Sequence, residues 1–238
     1  MGRAHLENVP VKETRAYPGH VTMTAEPPQS PVAGAVRSLE VRWIFPGPLE
    51  AAVARWFARF PATAQSRVDA YLLDPQLPGL SVKIRGGGAL EVKAYRGSPG
   101  ILEVPGRARG RMETWHKWSF PVSPLSPGAG GPPGWRPVRK RRRISRFSLA
   151  SGQITARGAR PGEQPGCAVE LTEIRTGGQD WWTLGFEATG PGLLPSALRA
   201  AAALVFARAL PGGVEPGPDE SSSYAQWLGR PPGAGSGR

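Results

Sequence analysis

Between Leu80 and Phe120 the chain places charge at every second residue, in three consecutive runs. Lys83 and Arg85 share one side of LSVKIR, and Glu91 and Lys93 share one side of ALEVKAY. Arg111, Glu113, Trp115 and Lys117 share one side of RMETWHKW. A period of two is the spacing of a β-strand, whose successive side chains point to opposite faces. The other sides carry Val82 with Ile84, and Leu90 with Val92, as an apolar layer requires. Charged residues share a face in this way only where they meet water or a ligand. The pattern predicts neighbouring strands around a wet, basic concavity.

The charge is as localised as the pattern. Of 30 Lys and Arg, 15 fall between residues 81 and 146, against 3 of the 18 Asp and Glu. The rest of the chain balances at 15 of each sign, so the formal net charge of +12 belongs to the charged sheet and the segment after it. Such an excess fits a polyanionic partner: nucleic acid, a phosphate-rich metabolite or an acidic membrane surface. The single cysteine, Cys167, excludes an internal disulfide and any multi-cysteine metal site. In its strand-like run it reads as a small buried apolar residue. No run of about 18 apolar residues and no N-terminal hydrophobic segment is present, which predicts no membrane span, no secretory signal and a cytoplasmic setting.

Gly and Pro cluster at the two ends and at 121–137, leaving a middle that can be globular. Residues 1–35 are expected to be disordered, 36–212 to form one domain, and 213–238 to be a disordered tail. SLEVRWIF (38–45) reads as a strand with Glu40 and Arg42 on one face and Leu39, Val41 and Trp43 on the other. An amphipathic helix follows on Leu49, Val53, Trp56, Phe57 and Phe60, stopped by Pro61. Residues 66–74 alternate again. Gly86-Gly87-Gly88 suits a hairpin turn and lacks both the GxxxxGK[ST] pattern and the following helix of a phosphate loop. Residues 126–134 and 152–166 read as loops. Between Arg136 and Arg146 stand seven basic residues, interleaved with Val138 and Ile144 and followed by Phe147 and Leu149, as in a strand. CAVELTEI and WWTLGFEATG pair across Gly177-Gly178 and carry Glu170 and Glu187. The clearest helix is 193–210, with Pro195 in its first turn. His116 has the wrong parity to join the inward charges, and tryptophans at strand positions read as core residues.

Eight strands are therefore predicted, at 38–45, 66–74, 80–85, 89–95, 111–120, 137–149, 167–174 and 181–188. This order, with charges alternating inward, resembles the triphosphate tunnel metalloenzymes, the CYTH superfamily of thiamine triphosphatases, class-four adenylyl cyclases and RNA triphosphatases. LEVRW stands where the family has its opening ExExK strand, and LSVKIR and ALEVK resemble its basic strands. RMETWHKW resembles the strand mixing Arg and Glu, VRKRR its KxR strand, and VELTEI with LGFEATG its closing acidic hairpin. Over 38–210 the resemblance implies a mainly β fold with flanking helices (α+β), an antiparallel eight-stranded barrel enclosing a polar tunnel.

The resemblance further implies that Lys83, Arg85, Lys93, Arg111, Lys140 and Arg142 bind phosphates. It makes Glu40, Glu113, Glu170 and Glu187 ligands for Mg²⁺ or Mn²⁺, with Glu113 and Glu170 as catalytic carboxylates. Fixed cations and a metal are what phosphoryl transfer from a triphosphate or polyphosphate requires, and hard divalent ions take carboxylate oxygens. The chain departs from the pattern at the second glutamate of ExExK, which is Arg42, and at its lysine, which is Ile44. A cation at the metal end opposes a divalent ion, while phosphate binding survives it. Three functions stay open: a metal-dependent triphosphatase, a phosphate-binding protein of that fold without catalysis, and a nucleic-acid-binding protein using the 136–146 cluster.

Overall fold

The alternation in the sequence is carried into long strands. A computed structural model of the chain describes residues 34–86, 88–122, 134–150, 153–157, 166–190, 192 and 194–230. In chain order the strands are β1 (Val36–Pro46), β2 (Thr63–Leu72), β3 (Leu80–Arg85), β4 (Ala89–Tyr95), β5 (Ile101–Val104), β6 (Ala108–Arg111), β7 (Glu113–Pro121), β8 (Trp135–Ala150), β9 (Gln153–Arg157), β10 (Gly166–Thr176) and β11 (Gln179–Thr189). Three helices accompany them: α1 (Ala51–Phe57), α2 (Leu194–Val205) and α3 (Tyr224–Leu228). No helix among the described residues is long and apolar enough to cross a membrane.

Eight strands close on themselves through antiparallel ladders, in the order β1, β7, β4, β3, β2, β8, β10, β11 and back to β1. This is the mainly β, antiparallel eight-stranded barrel with flanking helices that the strand order and its resemblance imply. Hairpin turns set much of the register. At Gly177-Gly178 both φ angles are positive, 57° and 77°, as a two-residue turn matched to strand twist requires. Closure removes the open sheet edges that invite pairing with other chains.

The apolar core lies outside the barrel. The odd positions of β1 (Leu39, Val41, Trp43, Phe45) join Val169 and Leu171 of β10 and Trp182, Leu184 and Phe186 of β11 in one buried layer. Helix α2 covers it with Ala197, Leu198, Ala201, Ala202 and Val205, and α1 adds Val53, Trp56 and Phe57. The alanines let α2 approach the sheet closely, and each large side chain buried there contributes roughly 1.5–3 kcal/mol. Trp43 is fully buried, edge-on to Phe186 and Phe206, with its indole N–H donating to the Arg109 carbonyl at 3.0 Å. Helix α2 ends at Val205, short of the 210 predicted from periodicity, and Arg59 donates to the Val205 carbonyl left free there.

Three local expectations are corrected. Residues 101–110, left without structure by the sequence pattern, form the β5–β6 hairpin together with Arg111, which ends β6 instead of opening the 111–120 strand, and Leu102 and Ala108 are buried against the outer core. The 152–166 loop contains β9, paired to the end of β8. The tail read from 213 onward holds α3, and Ser221 bridges to Trp43 while the Ile44 N–H donates to the Glu220 carbonyl at 3.0 Å. Gly, Pro and Ser dominate that segment, which hides its few anchors, Tyr224, Trp227 and Leu228. The disorder expected for 1–33, and the loop at 126–133, lie outside the described residues.

The fit of Trp43 generates a stability test. A Cβ on Gly110 would lie 2.7 Å from the Trp43 ring and 2.8 Å from Val41, both rigidly packed. Gly110→Ala is expected to lower unfolding stability by about 1–3 kcal/mol in urea titrations followed by tryptophan fluorescence. An unchanged midpoint would mean that Trp43 is not held where the contacts place it.

Candidate functional site

Parity decides what faces the barrel interior. Residues opposite one another on paired strands share a face, so the register carries Glu40 and Arg42 of β1 inward beside Glu187 and Gly185 of β11, and Glu113 of β7 beside Glu40. Lys83 of β3 stands opposite Glu91 of β4, and Tyr71 of β2 opposite Lys83. On β8 the even positions Lys140 and Arg142 point in, with Glu170 and Thr172 of β10 beside them.

Every one of these inward charges has an opposite. Lys93 binds Glu40 at 2.5 Å and reaches Glu187 at 3.7 Å, which Lys117 approaches from the other side at 4.0 Å. Lys83 and Arg85 hold Glu91 at 2.9 and 2.7 Å. Asp69, fully buried, takes Arg67 at 2.9 Å, Lys140 at 3.1 Å and Lys83 at 3.7 Å. Arg142 pairs with Glu170, which also lies 3.8 Å from Arg42, and Arg111 pairs with Glu113 at 3.0 Å. In this lattice nine cations meet six carboxylates.

Arg42 shows how the sequence makes room. Its neighbour across the ladder is Gly185, and a Cβ there would sit 2.7 Å from the guanidinium carbon. The missing side chain lets Arg42 pass over β11 toward Glu170, donating to Thr183 Oγ1 at 3.0 Å and stacking its guanidinium 4.5 Å from the Tyr224 ring centre. Lys140 stands 3.8 Å from the same ring and donates to the Tyr71 hydroxyl at 2.7 Å. Tyr224 comes from α3, so the C-terminal segment closes over the interior. Ser223 caps that helix by accepting from the Gln226 N–H at 3.3 Å. The Ser-x-x-Gln spacing 223–226 was a legible capping-box signal for this element.

A cavity of about 50 Å³ remains between these groups, lined by Glu40, Arg42, Lys83, Lys93, Arg111 and Glu113. It has room for about four water molecules. Of the residues expected to bind phosphate, Lys83, Lys93 and Arg111 converge here. Arg85 is not in the lining and is 38 % exposed, Lys140 is bound up with Asp69 and Tyr71, and Arg142 is held by Glu170 and Gln65. Of the expected metal ligands and catalytic carboxylates, Glu40 and Glu113 line the cavity while Glu170 and Glu187 do not. Asp69, Arg67 and Tyr71 were not singled out as site residues, although they share one alternating face in the sequence. Cys167 is buried in the outer core, which pushes its thiol pKa up, as suits an apolar role. His116 does not line the cavity and packs edge-on to Trp118.

The electrostatics follow from the pairing. Burial disfavours the Glu170 carboxylate, but Arg142 and then Arg42 outweigh it and hold its pKa well below the usual 4.5. Asp69 is likewise kept below 3.8 against burial by Lys140, Lys83 and Arg67, and Glu91 is lowered against burial by Lys83 and Arg85. Lys93 goes the other way: burial opposes its charge, yet Glu40 and Glu187 raise its pKa above the ordinary lysine value. Burial raises Glu113 despite Arg111.

The donor set does not fit a divalent ion. Glu113, Glu40 and Glu187 sit side by side on β7, β1 and β11, but each carboxylate is turned to a cation. The Lys93 ammonium lies between Glu40 and Glu187, where a shared metal would need to be. Among the described residues no three His, Cys, Asp or Glu side chains are grouped to hold a metal. No protein-family model matches the chain, and no curated protein does. The closed barrel is compatible with the tunnel fold that the strand order resembles.

Removing one member of the buried lattice strands the others. Asp69→Asn leaves Lys140 and Arg67 buried without their carboxylate and is expected to cost about 3–5 kcal/mol of unfolding free energy in urea. Acid should act similarly. Asp69, Glu91, Glu170 and Glu187 have lowered folded pKa values, so their stabilisation is complete above about pH 4.5 and is lost as pH falls below it. Glu113, raised by burial, opposes them alone. The thermal midpoint should therefore drop between about pH 5 and pH 2, and a flat profile would count against the lattice.

Proposed function

We propose that the barrel interior binds the phosphoryl end of a small polyanion, a triphosphate or polyphosphate, using cations supplied by the chain itself. The observation that carries the reading is the imbalance of the lattice: nine cations meet six carboxylates, and even without the more exposed Arg85 and Arg111 seven largely enclosed cations remain. Buried cations with too few counter-charges favour an anion, and the low dielectric strengthens each contact. Lys93, Lys83 and Arg111 face the cavity, and Arg42 adds a rigid guanidinium at its edge. An entering phosphate would displace the few waters and compete with Glu40 and Glu113 for their partners.

Metal-assisted hydrolysis is not part of this reading, because the carboxylates it would need are committed to Lys93, Arg111, Arg142 and Arg42. Arg42 in particular repels a divalent ion from Glu40 and Glu170. The chemistry supported is capture and charge neutralisation.

Calorimetry with tripolyphosphate in the presence of chelator tests it. Binding is expected without metal, and Lys93→Ala should weaken it by about one to two powers of ten, the worth of one charge-assisted contact. Because Lys93 also holds Glu40, the double variant Lys93→Met with Glu40→Gln removes the pair together and should show the same loss in a stable fold. Unchanged affinity in both would overturn the site. Phosphate release that needs Mg²⁺ or Mn²⁺ and disappears in Glu113→Gln would overturn the metal-free reading.

A further inference from the structure

The parity that points Lys140 and Arg142 into the barrel points Arg139, Arg141 and Arg143 out of it. Their outward neighbours are Val68 and Ser66 on β2 and Arg175 and Glu173 on β10. These four arginines face two carboxylates. Arg141 and Arg143 share Glu173 at 3.7 and 3.4 Å, Arg175 takes Asp180 at 3.0 Å, and Arg139 has no carboxylate partner among the described residues. Exposure is high where it matters: 75 % for the Arg141 side chain and 59 % for Arg175. Beside them runs an open groove of about 670 Å³, lined by Leu49, Val68, Arg139, Arg141 and, at one side, Trp181.

We infer that this outer groove is a docking site for single-stranded nucleic acid, separate from the interior. Arginines at alternate strand positions stand roughly 7 Å apart, comparable to the interval between successive phosphates of an extended single strand. A guanidinium presents a planar fork of donors that matches a phosphate. Trp181 lies on the inward face of β11, packed edge-on to Trp227 of α3, so the contact is carried by the row of guanidinium groups and is indifferent to base identity. An acidic peptide fits less well. β8 is paired on both sides over 139–143, with β2 and β10, so a peptide has no edge to join and no backbone partner.

The test uses the full chain and a fluorescent oligothymidylate, with anisotropy read over a series of salt concentrations. Three phosphate contacts predict a slope of log affinity against log salt of about −2. Arg139→Ala with Arg141→Ala should bring it to about −0.7, since two contacts are lost. Both side chains are exposed, so the fold is preserved, and tripolyphosphate binding should be unchanged in this variant. A slope that does not move in the arginine variant overturns the proposal. So does displacement of the oligonucleotide by tripolyphosphate at matched ionic strength, which would put it in the interior. Binding of poly-glutamate as tight as that of the oligonucleotide would replace nucleic acid by an acidic protein partner.

Discussion

A charge enclosed by a protein wall must meet an opposite charge or leave. Taking an unpaired ammonium or carboxylate out of water is expensive, and a closed barrel offers it no route back. The whole interior follows from that condition. Asp69 is fully buried only because Lys140, Arg67 and Lys83 surround it, and Glu170 only because Arg142 and Arg42 do. The same condition moves the apolar core outside. With the inner face of β1 given to Glu40 and Arg42, its outer face must carry Val41 and Trp43 and find cover from α1 and α2. Buried ion pairs add little net stability over an apolar filling. Their presence in this number is therefore not what makes the fold stable.

Arg42 and Lys93 give the interior its chemical character. Lys93 brings a fixed positive charge between Glu40 and Glu187, so the carboxylates neutralise an ammonium instead of a metal. Arg42 reaches across the Gly185 gap to Glu170 and lies against Tyr224, tying the barrel interior to the C-terminal segment. On β8 the strand divides its charge between two surroundings: Lys140 and Arg142 are held by inward carboxylates, while Arg139 and Arg141 meet solvent.

Much of this was legible in the sequence. Strict alternation from Lys83 to Lys117 identified the strands and the charged face, because a period of two allows only one assignment of sides. The hairpin glycines at 177 and 178, and the apolar faces of 38–45 and 193–210, were equally plain. Less visible was the C-terminal segment, where α3 is too short for periodicity and is fixed by contacts of Tyr224, Trp227 and Leu228 with distant strands. The β5–β6 hairpin escaped for a similar reason, since four-residue strands carry almost no repeat.

The sequence by itself determined that charge would line one side of a β structure, since the side of each residue follows from local backbone geometry. It also determined the basic excess. Which cation would meet which carboxylate was decided only when the barrel closed, because Lys93 and Glu187, or Arg42 and Glu170, are brought together by strand order and register across more than 90 residues of chain. The same glutamates read as metal ligands from their motif positions are ion-paired in the fold. A motif specifies the residues on a face, but the partner of each charge is whatever the closed wall sets opposite it.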